Sequence, residues 1–423
     1  MHHFHYRDGV MHAEDVPLPA IAEAVGTPFY CYSAATLRHH FRVFSEPFAH
    51  RDHLIAYSAK ANSNLAVLHL LGREGSGLDI VSGGELVRGL RAGIPASRMV
   101  FSGVGKRRDE LDAALEAGVK VINVESAAEL EALDAAARAR GQRAPVSLRV
   151  NPDVDPDTHP YIATGMRATK FGVPIGEARD LYGRAAAMDG IEVVGVDCHI
   201  GSQLTSVDPF VEALARLQAL MADLAADGHV LRHLDLGGGL GISYLDEAPP
   251  HPEDFGRAIN DQLGGWDGTL IFEPGRVIVG NAGVFVTEVL YTKEQPDKRF
   301  VIVDGAMNDM MRPALYGAEQ EIRPLRESAD SGGEVVDVVG PICESGDFLA
   351  KERYLPRFRA GERLAVMSAG AYGATMASNY NTRPRAPEVL VSGDRFEVVR
   401  QRETIDQLLE GESVPDAAWF DRE

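Results

Sequence analysis

The sequence predicts an α/β plus β protein: a (β/α)8 barrel followed by a second, mostly β domain of sandwich or barrel type. Three observations carry this. Between residues 36 and 281, eight short β-rich runs alternate with Ala/Leu/Glu/Arg-rich helical stretches. Unusual polar residues in that region recur where the runs end, on their carboxyl side. Beyond residue 282 the alternation gives way to β-branched, two-residue-periodic strands separated by turns.

The eight strand candidates span 54–58, 78–81, 99–101, 119–124, 146–150, 192–200, 233–236 and 269–273. Helical segments lie between them at 64–73, 84–92, 109–117, 126–139, 176–188, 207–227 and 253–264. A doubly wound open sheet has the same rhythm, because periodicity does not say whether the last strand returns to the first. In the second half, GVFVTEVLYTKE, RFVIVD, EVVDVVG, ERLAVMS and DRFEVVRQRE read as strands. The opening pieces FHYRDGVM and TPFYCYS are strand–turn segments outside the barrel repeat, suited to joining the later sheet. The expected organisation is a barrel over 36–281 and a discontinuous β domain made of 1–35 and 282–423.

Composition narrows the function classes. Of 423 residues, 45% are hydrophobic and 25% charged, as in ordinary globular proteins. A net charge of -20 repels nucleic-acid backbones and anionic membrane surfaces, so neither is an expected partner. No apolar run reaches the roughly 20 residues needed to span a bilayer. The start MHHFHYRDGV lacks the basic opening and apolar core of a signal peptide, and its His2, His3 and His5 read as a solvated terminus rather than a metal site. Three scattered cysteines without a CxxC argue against a disulfide framework or a zinc knuckle, and for a reducing, cytoplasmic setting.

On the predicted rim, Lys60 follows the first strand in YSAKAN, Asp79 and Ser82 mark the second, and Ser102 and Gly103 the third. Most of the seven lysines sit in polar helix-end or turn contexts, such as Lys106 beside two arginines. Lys60 instead follows an apolar strand. A buried lysine loses its proton easily and attacks aldehydes, although a lysine snorkelling from a strand end fits the same pattern. Gly237, Gly238, Gly239 and Gly241 follow the seventh strand, where barrels bind phosphate; a plain tight turn is the alternative. Glu273 closes the eighth strand in EPGR. A carboxylate there needs a positive partner, either Arg276 or a protonated ring nitrogen. His199 ends the sixth strand and fits a metal ligand, a general base or a flat stacking surface, but no second residue has metal-ligand spacing, so no metal is expected. A Schiff-base amine, an anion cradle and a carboxylate on one rim are the parts that hold pyridoxal phosphate.

YSAKAN, SGLDIVSGGEL, CHIGSQ, DLGGGLGISY and FEPGR resemble the barrel motifs of the alanine-racemase-like, fold type III decarboxylases that use pyridoxal phosphate. DGAMNDMMRPALYGA, VVGPICESGDFLAKER and GAYGATMASNYNTRPRAPEVLV look like the diaminopimelate decarboxylase branch. The resemblance extends over nearly the whole chain; Ser58 departs from it, standing where many relatives carry Ala. It implies decarboxylation of meso-2,6-diaminopimelate to L-lysine. It also implies that Lys60 bonds the cofactor, His199 stacks on its ring and Glu273 faces its ring nitrogen. Ser202, the glycine loop, Gly275, Arg276 and Tyr372 would surround the phosphate. Arg276, Arg312 and Tyr316, with Tyr372, would bind substrate, Glu344 its distal ammonium, and Cys343 would be the acid. Cys343 and Glu344 are expected from a neighbouring subunit, hence a homodimer with shared sites. Two arginines in motif contexts of an acidic chain independently suit a dicarboxylic substrate. An ornithine, lysine or carboxynorspermidine decarboxylase or a non-catalytic cofactor carrier would share the barrel but not account for the later motifs. A racemase of this fold would usually place arginine, not Glu273, at the ring nitrogen, and a cofactor-free Schiff-base aldolase would leave the glycine loop and Tyr372 unexplained. The segment 153–170, rich in Pro, Asp and Gly, suits a lid.

Overall fold

The computed structural model describes residues 2–154, 170–327, 332–416 and 419; most of the expected lid segment, 155–169, lies outside the described residues. Strands His53–Ser58, Gly77–Ile80, Met99–Phe101, Val121–Val124, Ala144–Asn151, Ile191–Asp197, His233–Asp235 and Thr269–Phe272 pair in chain order, all parallel. The last returns to the first through Leu270↔His53, Ile271↔Leu54 and Phe272↔Ile55. That pairing closes the barrel and excludes the open doubly wound sheet. The sixth strand ends at Asp197, so His199 lies on the loop beyond it rather than on the strand.

Among the described residues, seven helices of any length lie between the strands. After the eighth strand there is just the short turn Arg276–Val279. The ring is completed from the other end of the chain by helix Ala34–Ser45, for which the sequence offered no explicit expectation. It packs between Leu65–Arg73 and Pro252–Leu263. Ser33 caps it by accepting the Thr36 N–H, and Leu37, Phe41 and Phe44 recur at helical spacing on its buried face. Phe44 meets Phe272 edge-on at 5.9 Å, and Phe48 lies 4.3 Å from Phe272, fixing this helix to the eighth strand.

Strand alternation sorts the barrel interior into two layers. At the amino-terminal end, Leu54, Ala56, Val100, Val121, Val194 and Ile271 form a separate apolar cluster. At the carboxyl end, buried polar residues take their place: Ser58, Asp79, Ser102, Asn123, Arg149, Asp197, Asp235 and Glu273.

The second domain is a nine-stranded sheet. Strand Phe29–Ser33 runs within it, antiparallel to Gly283–Gln295 and parallel to Glu388–Ser392. Glu388–Ser392 and Phe348–Pro356 add to the strands expected from sequence. Phe4–Arg7, Val10–Ala13 and Val16–Pro17 form a small sheet of their own, whose Phe4, Met11 and Val16 pack against Val284, Val286 and Val389. Beyond strand Arg363–Val366 the chain returns to the barrel mouth. There the Tyr372 N–H donates to the Ala61 carbonyl (2.8 Å) and Asn62 Nδ2 donates to the Gly370 carbonyl (3.1 Å), at the two residues that follow Lys60. Among the described residues, no helix is long and apolar enough to cross a membrane.

Candidate active site

The carboxyl ends of the strands open into a cavity lined by Ser58, Lys60, His199, Ser202, Glu273 and Arg276 from the barrel, with Gly239, Leu240 and Gly275 between them. Arg312, Tyr316 and Tyr372 close it from the β domain. Residues 252 positions apart in sequence, Lys60 and Arg312, thus share one chamber. Tyr372 has a left-handed backbone (φ 55°), a conformation costly for a side chain of this size, held by its N–H bond to Ala61.

Lys60 Nζ lies 3.1 Å from Asp79 Oδ2, the same oxygen that accepts the Ser58 hydroxyl. The sequence argument had burial removing the lysine proton. The structure reverses that: burial does oppose the charge, but the carboxylates of Asp79 and Glu273 outweigh it and raise Lys60 above the usual lysine range. Before any aldehyde is bonded, Lys60 is therefore an ammonium ion held by its neighbours.

Glu273 Oε1 accepts the Ser102 hydroxyl at 2.9 Å, and Asn123 Nδ2 reaches Ser102 Oγ at 3.2 Å. Burial, then Asp79, Asp235 and Asp197, push the Glu273 carboxyl well above the ordinary range. Asp235 rises to about 7, chiefly from burial, and Asp197 well above its usual value from burial and Asp235. Oxygens of Asp197, Asp235 and Glu273 lie within 4.8 Å of one another. The one guanidinium in this layer, Arg149, pairs with Glu125 at 3.2 Å. Four buried carboxylates against one arginine make a layer short of positive charge. It would accept Lys60 and a protonated ring nitrogen together.

His199 Nδ1 accepts the Gly238 N–H at 3.1 Å, which leaves its proton on Nε2. Burial, Arg149 and Lys60 lower it well below the usual histidine range, so the ring is a neutral flat surface. The Gly237 N–H donates to Asp235 Oδ1 (2.9 Å) and the Gly238 N–H to His199 Nδ1, so both are engaged within the protein. Of the four glycines, Gly239 lines the cavity, with φ +118°. Gly238 instead allows close approach: a Cβ there would sit 2.2 Å from the Glu273 carbonyl oxygen.

Arg276 is buried and donates to Ser202 Oγ (2.9 Å) and to the Tyr244 hydroxyl, with its guanidinium 5.0 Å from the Tyr372 ring. Arg312 is buried too, facing the rings of Tyr244 (5.4 Å) and Tyr316 (5.5 Å). Burial and the neighbouring Arg276 lower the Arg312 guanidinium. Among the described residues, neither arginine has a carboxylate partner, and Nε of each is buried without a bond. The internal Glu273–Arg276 ion pair is absent among these contacts. Two desolvated cations side by side constitute an anion site. Gly275 completes the wall, since a Cβ there would come within 3.0 Å of Ala61 and 3.4 Å of the Tyr372 hydroxyl. Orphaned guanidinium nitrogens, a glycine wall and an acid layer fit pyridoxal phosphate at its phosphate and ring-nitrogen ends.

Cys343 and Glu344 do not line the cavity of their own chain. They lie exposed on a loop braced by Asn381, whose Oδ1 accepts the Cys343 N–H at 3.2 Å, and by Asp347, whose Oδ2 accepts the Ile342 N–H at 2.7 Å. Cys31 and Cys198 are buried, and burial pushes both thiols up.

Residues 34–280 match the family described as pyridoxal-dependent decarboxylase, pyridoxal binding domain. The chain is 55% identical to a diaminopimelate decarboxylase of Pseudomonas aeruginosa across 97% of its own length and 99% of that protein. It is 46% identical to one from Aquifex aeolicus, over 96% of each chain. The chain belongs to the diaminopimelate decarboxylases. A crystal structure of the Helicobacter pylori diaminopimelate decarboxylase complexed with L-lysine superposes with a TM-score of 0.90 at 42% identity, covering 93% of this chain and 98% of that one. A crystal structure of the diaminopimelate decarboxylase from m. jannaschi superposes with a TM-score of 0.93 at 36% identity, covering 98% of both chains.

For this decarboxylase family member, the sequence left several site residues without a role. Tyr244 stood inside the quoted LGGGLGISY, but nothing marked its hydroxyl as an Arg276 partner. Asn123, Arg149, Asp197 and Asp235 sit inside strand runs, where a polar residue reads as solvent-facing. For Asn123, alternation in phase with the inward Val121 was the signal that could have turned it inward.

Proposed function

We propose that this chain decarboxylates meso-2,6-diaminopimelate to L-lysine and carbon dioxide, the last step of lysine biosynthesis by the diaminopimelate route, with pyridoxal phosphate as cofactor. The observation that carries the substrate is the pair Arg276 and Arg312, buried without carboxylate partners in the cavity that holds Lys60. A diamine-forming decarboxylase would need an acid there; a dicarboxylic substrate needs cations.

When bound, pyridoxal phosphate supplies the electron sink for the breaking carbon–carbon bond. The chain's residues do the rest. Lys60 holds the cofactor through its amine, and Asp79 governs that amine's proton. Glu273, steadied by Ser102, holds a proton at the ring nitrogen. Neutral His199 offers its flat face to the ring. Ser202, Gly239, Gly275, Arg276 and Tyr372 form the phosphate end. Arg312 and Tyr316, with Arg276 beside them, grip the far carboxylate and so orient the departing one. Cys343 of the partner subunit delivers the proton to the substrate carbon, and Glu344 of the partner subunit receives the distal ammonium. The exposed position of both on a braced loop supports a homodimer with shared sites; the free, scattered cysteines support a cytoplasmic setting.

Arg312→Met tests the substrate reading. Losing one charge-assisted carboxylate contact, worth about 1.5–3 kcal/mol, should raise the KM for diaminopimelate about 10- to 150-fold. Cofactor binding should stay intact. An unchanged KM would remove Arg312 from the substrate site.

A further inference from the structure

Lys106 reads in the sequence as a turn lysine between glycine and two arginines, yet its side chain is completely buried. Its Nζ donates to the Gly103 carbonyl, the Asn123 carbonyl and Glu129 Oε1, each at 2.7 Å, so all three ammonium protons are used. The acceptors belong to three different elements. Gly103 follows the third barrel strand, Asn123 lies in the fourth, and Glu129 sits in the first turn of helix Ala127–Ala139. Glu129 uses its other oxygen to accept the Glu125 N–H at 3.0 Å, holding the fourth strand's exit as well.

The backbone fixed in this way carries the side chains that hold Glu273. Ser102, one residue before Gly103, donates to Glu273 Oε1 at 2.9 Å. Asn123 gives its carbonyl to Lys106 and its side-chain amide to Ser102 Oγ (3.2 Å) and Glu273 Oε1 (3.5 Å). Two parallel strand ends bring their carbonyls together at this point, and one ammonium ion donates to both. Without it the Gly103 and Asn123 carbonyls lose their shared donor; the Gly103 N–H still reaches Glu125 Oε1 at 3.0 Å, but Ser102 and Asn123 are held less firmly in register toward Glu273.

We propose that Lys106 is a positioning residue for Glu273, acting through Ser102 and Asn123 from outside the cavity. This rests on the reading of Glu273 as the partner of the cofactor's ring nitrogen. The test uses the full chain loaded with pyridoxal phosphate. Lys106→Met alone strands the buried Glu129 carboxylate, so Lys106→Met/Glu129→Gln, which removes both charges, is the working variant. A displacement of Glu273 by a fraction of an ångström to 1 Å should lower kcat about 10- to 100-fold and weaken cofactor affinity about tenfold, with KM within about threefold of wild type. Combining the pair with Ser102→Ala should cost much less than the product of the separate effects, because both act through one contact. A double variant that melts lower but matches the wild type in kcat, cofactor affinity and visible absorbance overturns the proposal. So do fully multiplicative effects with Ser102→Ala. A wild-type chain that binds no pyridoxal phosphate in the same titration overturns the reading of Glu273 and this role with it, a result distinguishable from failure of Lys106 alone.

Discussion

Gly238→Ala should disable the protein without touching any side chain of the site. The added Cβ would lie 2.2 Å from the Glu273 carbonyl oxygen and 3.5 Å from Pro274 Cα. Ordinary contact for such atoms is about 3.4 Å, so the seventh and eighth strand exits must part by about 1 Å. Neither partner is a flexible side chain, and the Glu273 N–H is itself bonded to the Gly237 carbonyl at 2.7 Å, so no rotamer relieves the clash. Overpacking of this kind costs about 1–3 kcal/mol, and a 1 Å shift of a catalytic group about a hundredfold in rate. Differential scanning calorimetry should show a lower Tm, and steady-state assays a kcat reduced by about two orders of magnitude. Gly183→Ala is the control. It lies in helix Ile175–Ala186 with open space around a Cβ, so alanine should be neutral or stabilise by about 0.5–1 kcal/mol. If Gly238→Ala matches that control in both stability and rate, the close approach of these strand exits is not what the glycine serves.

Other consequences are equally direct. Lys60→Ala should abolish the visible absorbance of the lysine-bonded cofactor in the purified protein; a persisting band would refute its role. Cys343→Ala should slow turnover with the cofactor still bound. Mixing it with Lys60→Ala under subunit exchange should restore up to about a quarter of wild-type activity, because half the dimers are mixed and each regains one intact site. No recovery after verified exchange would exclude shared sites. Asp309, raised to about 7 by burial, binds a proton in the folded chain at pH values where the unfolded chain has lost it. Its contribution is complete below about pH 4 and lost as pH rises to about 7. Relative to Asp309→Asn, the wild type should therefore lose about 2–3 kcal/mol of stability between pH 5 and 8, measured by urea unfolding at each pH. A pH-independent difference would show that Asp309 does not titrate in that window.

Much of the barrel was legible because its strands are apolar runs separated by well-formed helices, and periodicity reports both. Closure was not legible. It depends on Leu270, Ile271 and Phe272 meeting His53, Leu54 and Ile55, a pairing across more than half the chain. Helix Ala34–Ser45 went unstated because its positional meaning comes from the ring it completes, not from its own pattern. Lys60, His199, Glu273, Arg276, Arg312 and Tyr372 were identifiable because their residue types are chemically unusual at strand ends or in long motifs. Lys106 reads as an ordinary turn lysine because local polarity in GKRR masks a fully buried ammonium. The proton on Lys60 was misjudged for a related reason: burial was visible in the sequence, whereas Asp79 beside it became an electrostatic neighbour only through the pairing of the first and second strands.

The central claim is tested most directly by product analysis. The purified, cofactor-loaded chain is offered meso-diaminopimelate, ornithine, lysine and arginine in parallel, and amines and amino acids are quantified. Lysine formed from diaminopimelate, with the other three untouched, is the predicted result. Turnover of ornithine, lysine or arginine with diaminopimelate unchanged would contradict the account at the Arg276–Arg312 anion site.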